Sequence, residues 1–176
     1  GKTFNAKTGA TVIGARNFLI AYNVNLNTKS TAIANEIAGT IRESGKKIKE
    51  GDQLMSVPGK CKSLKAIGWY VEEYDLAQVS MNLTNYKITG LHHAFEACKA
   101  AAKRLGVKVT GSELIGLVPL EAMVEAGKYY VEQEELSHDE YASIATEHLK
   151  LNDLSDFSYS QRIIEYLLER GTMTEV

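Results

Sequence analysis

From Phe18 onward to Leu26 the chain alternates. Phe18, Ile20, Tyr22, Val24 and Leu26 fall on one side, and Asn17, Leu19, Ala21, Asn23 and Asn25 on the other. A period of two predicts a β-strand with one buried face. The opposite face carries three carboxamides, which are poor strand formers and add nothing to an apolar core. Water, or a ligand rich in donors and acceptors, must satisfy them.

After this strand, Asn27, Thr28 and Ser30 offer N-caps. Ile33, Ile37 and Ile41 then recur every fourth residue until Gly45, predicting a helix with an isoleucine stripe. Lys46–Lys60, with Gly51, Pro58 and Gly59, reads as a basic loop. A second strand is expected over Leu64–Val71, with Glu72–Asp75 as the turn of a hairpin. In the third strand, Ala77–Leu83, Ala77, Val79, Met81 and Leu83 point inward and Gln78, Ser80 and Asn82 outward. A helix from about Thr89 to Leu105 ends at Gly106, and a fourth strand starts at Val107. Pro119 suits the start of a helix over Leu120–Glu134, and two short helices follow around Glu140–Leu149 and Ser160–Glu169.

Strand-helix-strand-strand-helix-strand is the order of the split βαβ motif. The expected fold is therefore α+β: a ferredoxin-like antiparallel sheet with helices on one face, plus a C-terminal helical extension. Residues 1–135 would form the α+β unit and 136–176 the extension. In this topology the first and third strands lie side by side, so Asn23, Asn25, Gln78, Ser80 and Asn82 would share the face away from the helices. That face is either solvated or covered by a polar ligand or partner.

Composition leaves this picture intact. Hydrophobic residues make up 44% and charged residues 24% of the 176 positions, ordinary for a globular domain. No apolar run reaches membrane-spanning length and no signal peptide is apparent. The start at Gly1-Lys2 suggests a piece of something longer. Cys61 and Cys98 lie far apart in no metal-like spacing, which points to a reduced, cytoplasmic setting. Net charge is −2, yet Arg42–Lys65 carries seven basic residues against three acidic ones, while Glu121–Asp156 carries ten acidic against two basic. The basic block suits a small polyanion; a pI near 6 argues against general nucleic-acid binding.

Catalytic patterns are sparse. No HExxH, CxxC or phosphate-loop motif occurs. Adjacent histidines project differently from a helix, so His92 and His93 predict no metal pair. His92, near a helix start, would have its protonated form disfavoured and reads as a surface or capping residue. No catalytic residue and no metal ligand is assigned. The outward positions of strand three hold amides where an RNA-binding sheet would carry aromatics.

Four segments in order, GARNFLIAYNVNL, IGWYVEEYDLAQVSMNL, GSELIGLVPLEA and SYSQRIIEYLLERG, resemble the C-terminal subdomain of glutamate formimidoyltransferases. The resemblance runs from about Phe4 to Gly171. It implies transfer of the formimino group from N-formimino-L-glutamate to tetrahydrofolate in histidine degradation, with folate held between two similar subdomains. It implies two folate-binding stretches here. The first is Gly1, Lys2, Thr3, Phe4, Asn5, Ala6, Lys7, Thr8, Gly9 and Ala10. The second is Lys60, Cys61, Lys62, Ser63, Leu64, Lys65, Ala66, Ile67, Gly68 and Trp69.

The chemistry of those stretches is compatible. Lys60, Lys62 and Lys65 can pair with carboxylates, Gly68 can admit a flat ring, and Trp69 or Phe4 can pack on a pterin or benzoyl ring. The competing reading makes Ile67 and Trp69 core residues of strand two and the lysines solvated. Relatives often have proline at Ala6, and some have arginine at Lys60. The family's catalytic histidine belongs to the other, N-terminal subdomain, so this chain alone is expected to be inactive. The partners implied are the two substrates and that subdomain, with self-association left open and neither nucleic acid nor membrane. A non-catalytic ligand-binding or regulatory module is the alternative.

Overall fold

The computed structural model describes residue 7 and residues 9–11, 13–132 and 135–173. Four strands, β1 (Ile20–Leu26), β4 (Leu64–Val71), β5 (Leu76–Leu83) and β6 (Val109–Ile115), form one antiparallel sheet in the order β4-β5-β1-β6. This is the ferredoxin-like order, with β1 and β5 central. The helices α1 (Thr31–Ile41) and α2 (Leu91–Arg104) pack on one face. There Ile20, Tyr22, Val24 and Leu26 meet Ala34, Ile37, Ile41, Phe95 and Cys98 in the core. The Tyr22 hydroxyl stays inside by donating to Ser112 Oγ at 2.9 Å.

β1 begins two residues later than the alternation suggests. Its Ile20 pairs with Leu83, the last residue of β5, so Phe18 has no strand to pair with and is 62% exposed. A larger departure lies between α1 and β4. The basic stretch is a second sheet, β2 (Lys46–Glu50) paired with β3 (Gln53–Val57) through a Gly51-Asp52 turn. Gly51 takes φ +61°, which suits such a turn. All of β3, and all of β2 except Lys46, is exposed.

The C-terminal helices stay on the same side of the sheet as α2, where Met123, Ala126, Ala142 and Ala145 join the same core. α3 (Leu120–Tyr130) packs closely on α4 (His138–His148), because a Cβ at Gly127 would lie 2.2 Å from the Tyr141 carbonyl oxygen. α4 opens with a capping box between Ser137 and Glu140. A 3₁₀ turn at Tyr159–Gln161 leads into α5 (Ile164–Met173).

Both margins of the sheet are occupied in part by the chain itself. Along β4, Leu64 O accepts from Glu43 N at 2.9 Å and Ala66 O from Arg42 Nη1 at 3.3 Å. The Asn35 side chain bonds both Gly68 N and Gly68 O at 3.0 Å. On β6, Ser112 N donates to Lys150 O at 3.1 Å, and beyond the end of the strand Val118 exchanges bonds with Arg162 and Ile164.

Candidate functional site: the helix-free face of the sheet

Register fixes what the bare face displays. One row runs Lys65–Asn82–Ala21–Ile115, the next Ile67–Ser80–Asn23–Glu113, and the third Trp69–Gln78–Asn25. The expected amides do share this face, but the central ones are buried: Gln78 and Asn25 have no exposed surface and Asn23 has 5%. They are buried in a hydrogen-bonded strip, as physics requires of enclosed amides. Trp69 Nε1 donates to Gln78 Oε1 at 3.1 Å, and Gln78 Nε2 donates to Asn25 Oδ1 at 2.8 Å. Asn25 Nδ2 donates to Asp153 Oδ2 at 2.9 Å, which also accepts from Thr110 Oγ1 at 2.9 Å. Asp153 reaches the face by lying over Gly111, where a Cβ would sit 2.2 Å from its own. The β1–β6 register shifts between Val24 and Leu26, beside this contact.

Apolar surface flanks the strip. Ile67 is 57%, Ile115 47% and Trp69 44% exposed. Trp69 and Ile67 are therefore not core residues, contrary to the competing reading. Strand alternation sends them outward and turns Leu64, Ala66 and Gly68 toward the helices. Gly68 consequently serves α1 and not a ligand ring: a Cβ there would fall 2.2 Å from Asn35 N.

The second candidate stretch thus divides by direction. Lys65, Ile67 and Trp69 look onto the bare face, while Cys61, Leu64 and Ala66 are buried among core residues. Ser63, at φ +53°, makes the turn into β4. Lys60 and Lys62 are exposed and line a cleft of about 430 Å³ with Thr89 and His93, near the first turn of α2. In the first stretch Lys7, Gly9 and Ala10 are exposed, whereas Gly1–Ala6 and Thr8 lie outside the described residues. Glu113, Asp153 and Thr110 went unnoticed in the sequence. Only the Ser80–Asn23–Glu113 row of the β pairing would have found the first.

The histidines lie elsewhere. His93 Nδ1 accepts from Gly90 N at 3.4 Å and caps α2. His92 is buried, stacks on Tyr129 at 4.6 Å, and its Nδ1 lacks a hydrogen-bond partner. The two imidazoles approach to 4.0 Å, closer than their opposed helical directions suggest, because both lean on Tyr129. His138 and His148 mark the two ends of α4. Among the described residues no group of three or more His, Cys, Asp or Glu could hold a metal. Nor is any helix among them long and apolar enough to cross a membrane.

Burial, with help from His93 and against Glu125, lowers the His92 pKa to about 4, so the ring is neutral at pH 7. An unfolded histidine titrates near 6.5, and the unfolded chain therefore takes up the proton first as pH falls. The stability that this neutral ring retains above pH 6.5 is lost between about 6.5 and 4, by about 3 kcal/mol. Urea titrations of the wild type and His92→Gln should diverge over that window; parallel pH profiles would refute the assignment.

A formiminotransferase domain family model matches residues 21–169. The formimidoyltransferase-cyclodeaminase of Dictyostelium discoideum is 49% identical over 165 residues, which cover 92% of this chain and 29% of that protein. The Mus musculus protein of the same name is 42% identical over 170 residues, 94% of this chain and 30% of its own. The glutamate formimidoyltransferase of Thermoplasma acidophilum is 39% identical over 132 residues, 75% of this chain and 39% of its own. The chain spans about a third of the length of these curated relatives.

Proposed function

The chain belongs to the formiminotransferase domain family, and we propose that it forms the folate-facing half of a glutamate formimidoyltransferase. The bare sheet face carries this reading. A face left open by the helices, with exposed Asn82 and part-exposed Ser80 beside Trp69, Ile67 and Ile115, suits a ligand that is flat, apolar on its faces and rich in hydrogen-bonding edges. Tetrahydrofolate has that character, and its glutamate carboxylates match the exposed Lys60, Lys62 and Lys65. The companion surface would be the N-terminal subdomain of the same protein, stacked on this face.

The reaction moves HN=CH– from the nitrogen of glutamate to N5 of the reduced folate. One C–N bond forms, one breaks, and a proton passes from N5 to the departing amine. This chain's part is orientation: it holds the ring, anchors the tail and keeps water from one side of the site. No histidine of this chain stands on the bare face, so the proton is relayed from the companion half. The setting is cytoplasmic, consistent with two free, buried cysteines.

Calorimetric titration of the full-length protein with a reduced folate tests the reading. Changing Lys60, Lys62 and Lys65 together to alanine should weaken Kd by roughly tenfold, the value of one charge-assisted bond lost at an exposed site. Unchanged affinity would remove the lysines from the site. Wild-type protein that neither binds folate nor releases glutamate from formiminoglutamate would favour the non-catalytic module.

A further inference from the structure

One carboxylate on the bare face is unexplained by ring packing or tail binding. Glu113 stands opposite Asn23 in the β1–β6 pairing and is half-buried. Its Oε2 is approached by Asn23 Nδ2 and by Gln78 Nε2, both at 3.4 Å, the outer limit of a hydrogen bond. Among the described residues its Oε1 takes no hydrogen bond and no lysine or arginine pairs with it. Asp153 differs, because its two bonds at 2.9 Å tie β1 to β6. Glu113 also has aromatic company. Trp69 shares Gln78 with it. A half-enclosed carboxylate with one oxygen free and amides holding the other is an acceptor waiting for a donor.

We propose that Glu113 is a substrate-binding residue that accepts two hydrogen bonds from a planar N–C–N edge, with Asn23 and Gln78 positioning its carboxylate. Such an edge fits a carboxylate bidentately, as a guanidinium does. Two molecules of the proposed reaction carry one. The formimino group on nitrogen is an amidine, cationic when protonated, and the pterin ring presents N3–H beside its 2-amino group. The assignment rests on the transferase reading for its ligands, and on the register and the free oxygen for its chemistry.

The test uses full-length protein carrying Glu113→Gln, which keeps the shape and one acceptor oxygen but replaces the other with an amide donor. Glu113→Asp serves as a charge-retaining control, and the thermal midpoint verifies folding. KM for one substrate should rise about tenfold or more in Glu113→Gln while KM for the other changes little, with partial recovery in Glu113→Asp. A rise confined to formiminoglutamate, with affinity for the neutral analogue N-formyl-L-glutamate unaltered, identifies the amidine as occupant. A rise confined to tetrahydrofolate identifies the pterin edge. Equal weakening of both substrates would mark a structural role and overturn the assignment, as would no change in either. Wild-type protein that binds neither substrate would overturn the transferase reading together with it.

Discussion

Gly68→Val is expected to destabilise the fold by about 3 kcal/mol or more, despite valine's preference for strands. Taken alone, a β-branched residue in place of glycine would be favourable by up to about 1 kcal/mol. The sign reverses because of what lies over the site. The new Cβ would sit 2.2 Å from Asn35 N and 2.4 Å from the Ala34 carbonyl carbon, both backbone atoms of α1. No rotamer change relieves such an overlap, so the helix must shift. A shift also loosens the paired bonds from the Asn35 side chain to Gly68 N and O. Urea denaturation reads the result directly: a midpoint lowered by about 1.5 M for a slope near 2 kcal/mol per molar. A variant as stable as the wild type would show that α1 does not rest on β4 at this glycine.

Gln78→Leu should cost about 2–3 kcal/mol and also change the site. Leucine fills the space but leaves the Trp69 indole N–H without its acceptor and fully buried Asn25 without its donor. The loss propagates, because Asn25 is also the partner of Asp153, which anchors the C-terminal loop on the face. Trp69 is the single tryptophan of the chain, so its emission reports the release without labelling. A red-shifted spectrum with a lower denaturation midpoint is the expected pair of results. If neither moves, the strip is not a cooperative unit.

Much of the scaffold was legible because it depends on local periodicity. Leu64–Val71 was readable as a strand to the residue, and the alternation in Ala77–Leu83 placed the amides on the correct face. Other features depend on distant partners. The burial of Asn25 requires Asp153, 128 residues away, and no spacing rule connects them. The same holds for Glu113, whose neighbours are set by pairing between β1 and β6. Gly68 looked like an opening for a ligand because sequence shows that a side chain is missing, not which side it is missing from. The β2–β3 hairpin was overlooked for another reason. The three lysines of β2 have little β-propensity and β3 lacks a clear alternation, although Gly51-Asp52 between two five-residue strands is a recognisable turn signal.

The partly covered margins of the main sheet restrict how this protein can associate. A sheet whose outer backbone is taken in part, by Asn35, Arg42 and Glu43 along β4 and by Lys150 at Ser112 of β6, offers only a broken template for a neighbouring chain to zip onto. Polymerisation through extended ribbons of this sheet is discouraged. Assembly is favoured instead by laying one pleated surface upon another, where side chains and not main-chain amides decide the fit. Recognition then resides in individual residues, and it is correspondingly open to tuning by single substitutions.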